Sequence, residues 1–187
     1  MKKTKVKFNS KKPRKKVKKI IIVGITILTF FTSLVFSLIS NILSENMDVI
    51  SATLVVVTII LIGIMFDMLG VAVATADETP FHSMASSKVR GSKESLFIIR
   101  RAGIFSTIFN DVIGDVAGIV SGAATAGIVA KLILTYNVNG LVASIILSSM
   151  VAALTVGGKA IAKTIAMNNS NEIVYKIGYT FSSKGKN

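Results

Sequence analysis

Cysteine is absent from the 187 residues, so disulfides and thiolate chemistry play no part and the redox compartment goes unmarked. Histidine occurs once, at position 82, outside every long apolar run; a lone loop histidine reads first as a surface residue. Charge is scarce as well: only 17% of residues are Asp, Glu, Lys or Arg, less than a soluble domain of this size carries. Acids are the rarer sign, nine against 22 bases, and no internal repeat of 20–50 residues is visible.

What remains is apolar and unevenly basic. Hydrophobic residues make up 51% of the chain and the mean hydropathy is +0.68. Eleven of the 22 basic residues lie in residues 1–19, "MKKTKVKFNSKKPRKKVKK", so the net charge of +13 describes an arm more than a surface. Such an arm is expected to stay on the cytoplasmic side and touch anionic lipid. It lacks interleaved aromatics and runs straight into an apolar segment, so nucleic acid is not an expected partner. That segment is too long for the core of a secretory signal and ends in no small-residue cleavage site.

Four stretches are long enough to cross about 30 Å of hydrocarbon as helices: 20–43, 50–75, 104–134 and 139–162. The loop after the first has Glu45 and Asp48 and no base. The loop after the second has Lys88, Arg90, Lys93, Arg100 and Arg101, and the turn after the third has only Lys131. Both termini and the 76–103 loop are therefore expected on the cytoplasmic side of the cell membrane. Within that loop, Pro80 suits the start of a helix and Gly91 separates two short helical stretches. The expected fold is all-α: a polytopic bundle of four spanning helices with a cytoplasmic helical hairpin between the second and third. Its divisions are a polybasic arm (1–19), a transmembrane domain (20–166) and a short cytoplasmic tail (167–187) whose weak alternation fits a short strand or disorder.

The third span holds the unusual chemistry, "NDVIGDVAGIVSG" at 110–122. On a regular helix Asp111, Asp115, Gly114, Gly118 and Gly122 share an arc of about 100°. The glycines at every fourth position let another helix come close, which puts both acids on a packed face away from lipid. An ionised Asp at mid-bilayer costs about 2.5–3.5 kcal/mol, so the pair points to a cation or proton site. Two plainer readings stand beside it: both acids hydrated near the cytoplasmic end, or a structural ion pair. Asp67 lies late in the second span, and Asn110, Ser121 and Thr125 offer neutral oxygens. Oxygen ligands without sulfur or imidazole suit a hard cation such as Mg²⁺.

Three segments carry a resemblance to a known family. "ATADETPFHSMASSKVR" (74–90), "IFSTIFNDVIGD" (104–115) and "GKAIAKTIAMNNSNEIV" (158–174) are similar to stretches of the transmembrane domain of the CorB/CorC and cyclin-M magnesium transporters. The likeness covers about residues 50–175, with Glu78 and Thr79 at the family's Glu-Thr positions. It implies a homodimeric ion transporter, Mg²⁺ as the transported ion, and Glu78 beside Asn110, Asp111 and Asp115 at the metal site. The first span and the arm are additional. The family's paired asparagines are not at their spacing, its proline is Ala162, its cytoplasmic CBS pair is missing, and its ion-holding acid in the closing segment is Lys159. That ammonium either snorkels to the interface or pairs with Asp111 or Asp115. In the second case it opposes Mg²⁺ by like charge, and the chain reads alternatively as a scaffold or partner subunit that has lost the metal site.

An enzyme is not expected. Intramembrane serine proteolysis needs a buried histidine, and no span has one. The D-x-x-x-D at 111–115 lacks the D-G-x-x-A-R that accompanies it in CDP-alcohol phosphotransferases, and no phosphate-binding G-x-x-x-x-G-K-[ST] is present.

Overall fold

The computed structural model describes residues 19–45 and 47–182. The arm at 1–18 and the last five residues lie outside the described residues, and so does the expectation that the arm meets anionic lipid. Every described element is helical: α1 (Lys19–Glu45), α2 (Val49–Thr75), α3 (Thr79–Ser86), α4 (Ser92–Arg100), α5 (Ala102–Thr107), a π-helical segment (Ile108–Gly114), α6 (Asp115–Tyr136), α7 (Gly140–Asn168) and α8 (Ser170–Phe181). α5, the π segment and α6 form one rod of 35 residues; with α1, α2 and α7 it gives four helices long and apolar enough to cross a membrane. The chain has the architecture of a polytopic helical membrane bundle.

α2 is the hub. It packs on α7, α6 and the π segment, while α1 leans against α6 from outside. Its hydropathy is high all round, as expected of a helix surrounded by other helices and lipid. Two apolar cores lie along it. One joins Ala52, Val56 and Ile60 to Ile128. The other, at the opposite end, joins Ala72 and Val73 to Phe81, Ile98, Ala166 and Val174, which ties the hairpin and α8 to the spans.

Small residues set the α2–α6 distance. A Cβ on Gly63 would stand 2.8 Å from the Ala117 Cβ and 3.2 Å from the Gly114 carbonyl oxygen. One on Gly70 would collide with the Asn110 side-chain amide. With no hydrophobic force between helices in lipid, this close backbone approach is the main source of contact energy.

The hairpin obeys its punctuation. Pro80 sits in the first turn of α3, where its missing N–H costs nothing. Gly91 takes φ 83° between α3 and α4, in the left-handed region that favours glycine. It also lies against the backbone of Tyr179, leaving no room for a Cβ.

The tail is not a strand, nor is its described part irregular: residues 170–181 form α8. Ile173, Val174, Ile177, Gly178 and Phe181 recur at helical spacing, and Val174 and Gly178 are buried against α4. Ser95 Oγ lies 3.2 Å from the Val174 carbonyl oxygen and fastens the two helices. The tertiary partner, absent from any local reading of the tail, decides its structure.

Candidate functional site

A break in helical register builds the site. At the end of the π segment the Asp115 N–H donates to the Asn110 carbonyl, five residues back rather than four. The extra residue in the turn rotates the remainder of the rod. The face turned to α2 therefore runs through Asn110, Gly114 and Ala117 rather than through both aspartates. Gly114 approaches the Asp67 Cβ and the Gly63 carbonyl oxygen, at 3.5 and 3.3 Å from its own would-be Cβ.

The packed face expected to hold Asp111, Asp115 and the three glycines together does not form. Gly114 is buried, Gly118 is half-buried beside Thr155, and Gly122 is exposed with nothing against it. Asp111 is exposed and makes no ion pair with any described residue. The π turn separates Asp111 and Gly114 from the register of α6, because a projection at 100° per residue fails across it, while the arc that Asp115, Gly118 and Gly122 keep on α6 is not the face turned to α2.

Asp115 finds a partner on α7. Lys159 Nζ donates to Asp115 Oδ1 at 2.7 Å and stands 3.8 Å from Asp67 Oδ1. Lys163, one turn along the same face of α7, places its Nζ 3.6 Å from Asp67 Oδ2. Three helices thus contribute to one alternating cluster of two carboxylates and two ammonium groups, formally neutral. Its members differ in exposure. The Asp67 side chain is 4% exposed and that of Lys159 16%, whereas those of Lys163 and Asp115 are 50% and 60% exposed. Asp67 is thus the costly charge. Two cations within 4 Å offset that cost, each worth about 4 kcal/mol at an effective dielectric constant of about 20 before desolvation is subtracted.

Two acceptors remain unsatisfied. Asp67 Oδ2 and Asn110 Oδ1 are buried, and neither accepts a hydrogen bond from a described residue. Asn110 reaches only Ser106 Oγ, through its Nδ2 at 3.4 Å, while its oxygen is turned toward Gly70. Buried acceptors left open in this way cost about 1–3 kcal/mol each. Ser121 and Thr125 are buried, and both hydroxyls donate to carbonyls of their own helix, Gly118 and Ser121.

Glu78 stands apart from this cluster, at the entrance to α3. Its Oε1 accepts from Arg100 Nε at 2.6 Å and lies 3.0 Å from His82 Nε2. The Arg100 hydrogen bond, helped by that residue's charge and by His82, holds the Glu78 carboxyl below its ordinary value. Asp77 shapes the same corner: its Oδ1 accepts from the Thr79 N–H and hydroxyl, and its own N–H donates to Asn171 Oδ1 of α8. Glu78 therefore clamps the hairpin closed.

Of the residues singled out from sequence, the structure brings Asp67, Asp115 and Lys159 together, with Asn110 on the adjoining seam, and leaves Asp111 and Glu78 apart from them. Among the described residues no group of three or more His, Cys, Asp or Glu side chains is placed to share a metal ion. Lys163 was missed, although its spacing of four from Lys159 puts both on one helix face. Compared with family models, with curated proteins and with solved structures, the chain finds no match.

Proposed function

We propose that this chain is a membrane cation-handling protein of the CorB/CorC kind, with Mg²⁺ as its cargo and a homodimer as its working form. In this reading Asp67 and Asp115 are the charge that attracts the ion. Lys159 is a tethered ammonium that occupies the place between them when no ion is bound. The observation that supports it is the seat of Lys159, within 4 Å of carboxylates on two different helices. An ammonium there does what a bridging cation would do. Ion entry then requires Lys159 to withdraw, and its long stem permits that by snorkelling toward the headgroups. Asn110 Oδ1, which accepts no hydrogen bond from a described residue, and Asp67 Oδ2, faced only by the Lys163 ammonium at 3.6 Å, supply oxygens of the kind a hard cation takes.

The topology that goes with this reading puts the hairpin, α8 and both termini in the cytoplasm, in keeping with the basic residues. Flux into proteoliposomes loaded with a Mg²⁺-sensitive dye is the test. Wild-type protein should carry Mg²⁺, and Asp67→Asn and Asp115→Asn should abolish flux at equal incorporation. Full flux in both variants would reject the site.

The formal neutrality of the cluster favours a second reading, a non-transporting scaffold or partner subunit whose lysines replace the metal for good. It calls for silent proteoliposomes and for co-purification with another membrane protein. Mg²⁺ flux by the purified chain alone would eliminate it.

A further inference from the structure

Away from the carboxylate cluster, two adjoining clefts lie open on the surface, the first between α4, α5, the π segment and α8, the second along α4 and Arg101. One, of about 460 Å³, is walled chiefly by Phe97, Phe105, Phe109 and Phe181. The other, of about 410 Å³, is bounded by Arg100 and Arg101. Lys93 and Phe97 line both. An apolar chamber thus opens directly onto a basic one.

The position of this cleft says what fills it. Phe105 and Phe109 belong to the rod that becomes the third span, so the apolar chamber lies where bundle meets membrane surface. Phe97 and Phe181 are 50% and 69% exposed, more aromatic surface than a water-facing helix pair leaves uncovered. The rim is cationic. Arg100 is committed to Glu78, but Lys93 makes no ion pair with a described residue. Arg101 only stacks its guanidinium 3.9 Å over the Phe97 ring. Glu94 also lines the apolar chamber, leaving two available cations against one acid.

We propose that this cleft holds one anionic phospholipid, its phosphate against Lys93 and Arg101 and an acyl chain among Phe97, Phe105, Phe109 and Phe181. A charged head and an apolar tail joined in one molecule match the two chambers, and basic pockets at the cytoplasmic side of spans recognise such headgroups. The site uses none of the residues of the polybasic arm, and it does not depend on the cation reading.

Native mass spectrometry of the full chain, released from mixed micelles of phosphatidylcholine and phosphatidylglycerol, tests it. Wild type should retain one phosphatidylglycerol in preference to phosphatidylcholine. Neutralising Lys93 and Arg101 together (K93Q/R101Q) should weaken that preference about fivefold for each charge. Phe181→Ser should lower retention of both lipids. All three side chains are exposed, so the variants are expected to fold, and an unchanged elution profile checks this. An arm variant, K11Q/K12Q/K15Q/K16Q, should keep the bound lipid. Unchanged preference in K93Q/R101Q, loss only in the arm variant, or a lipid-free dimer in which the cleft is covered by a second copy would overturn the proposal.

Discussion

Replacing Lys159 with methionine removes the central ammonium and keeps most of the stem. Asp115 then loses its 2.7 Å partner and Asp67 loses one of two cations, keeping Lys163 at 3.6 Å. Removing one member of a fully buried pair costs about 3–5 kcal/mol, because the other charge stays buried. Here Asp115 is 60% exposed and recovers hydration, so the cost should fall to about 1–2 kcal/mol, borne by Asp67. The cluster passes from neutral to a charge of −1. A unit charge at 4 Å from a divalent ion contributes about 8 kcal/mol at an effective dielectric constant of about 20, an upper bound that water and side-chain movement reduce. Even a fifth of this shifts affinity about tenfold. The assay is a fluorescence-detected size-exclusion melt, with and without MgCl₂. Lys159→Met should melt lower than wild type without Mg²⁺ and regain stability as Mg²⁺ rises, since an ion that binds only the folded form stabilises it by mass action. If the variant melts with wild type at every Mg²⁺ concentration, the ammonium neither holds the helices nor excludes the ion.

The remaining predictions concern packing and the hairpin. Gly70→Val drives a branched side chain into Asn110 and should cost more than about 2 kcal/mol, seen as aggregation on extraction, whereas Gly24→Ala, with open space around it, should be silent. Gly91→Ala meets both a φ of 83° and the Tyr179 backbone, and should raise hydrogen exchange across 79–100 and in α8 without altering the spans. Because Glu78 is held below its ordinary value of 4.5, the clamp stabilises the hairpin at pH above that value and weakens as pH falls through the folded one. Protection of the hairpin amides, corrected for the intrinsic pH dependence of exchange, should therefore fall on acidification below about pH 4.5 in wild type and lose that dependence in Arg100→Gln.

The spans were legible because long stretches of high mean hydropathy with few charges leave the backbone few other choices in lipid. The hairpin was legible through Pro80 and Gly91, each of which acts on its own backbone. The other features depend on partners. α8 has an apolar stripe of five residues, but an isolated 12-residue helix is marginal, and the α4 face that stabilises it lies some 80 residues away in sequence. The π turn at 108–114 has no local signature, yet it decides that Asn110 faces Gly70 while Asp111 turns outward. Pairing of Lys159 with Asp115 was one of two options raised by charge and depth alone. Only the meeting of α2, α6 and α7 brings in Asp67 and Lys163.

The bridging role of Lys159 underlies the rest, and a double-mutant cycle reads it most directly. Thermal stability would be measured for wild type, Lys159→Met, Asp115→Asn and the double variant in Mg²⁺-free detergent. A direct 2.7 Å pair predicts that the two single losses exceed the double loss by more than about 0.5 kcal/mol. Losses that add within about 0.3 kcal/mol would show that the two side chains do not meet.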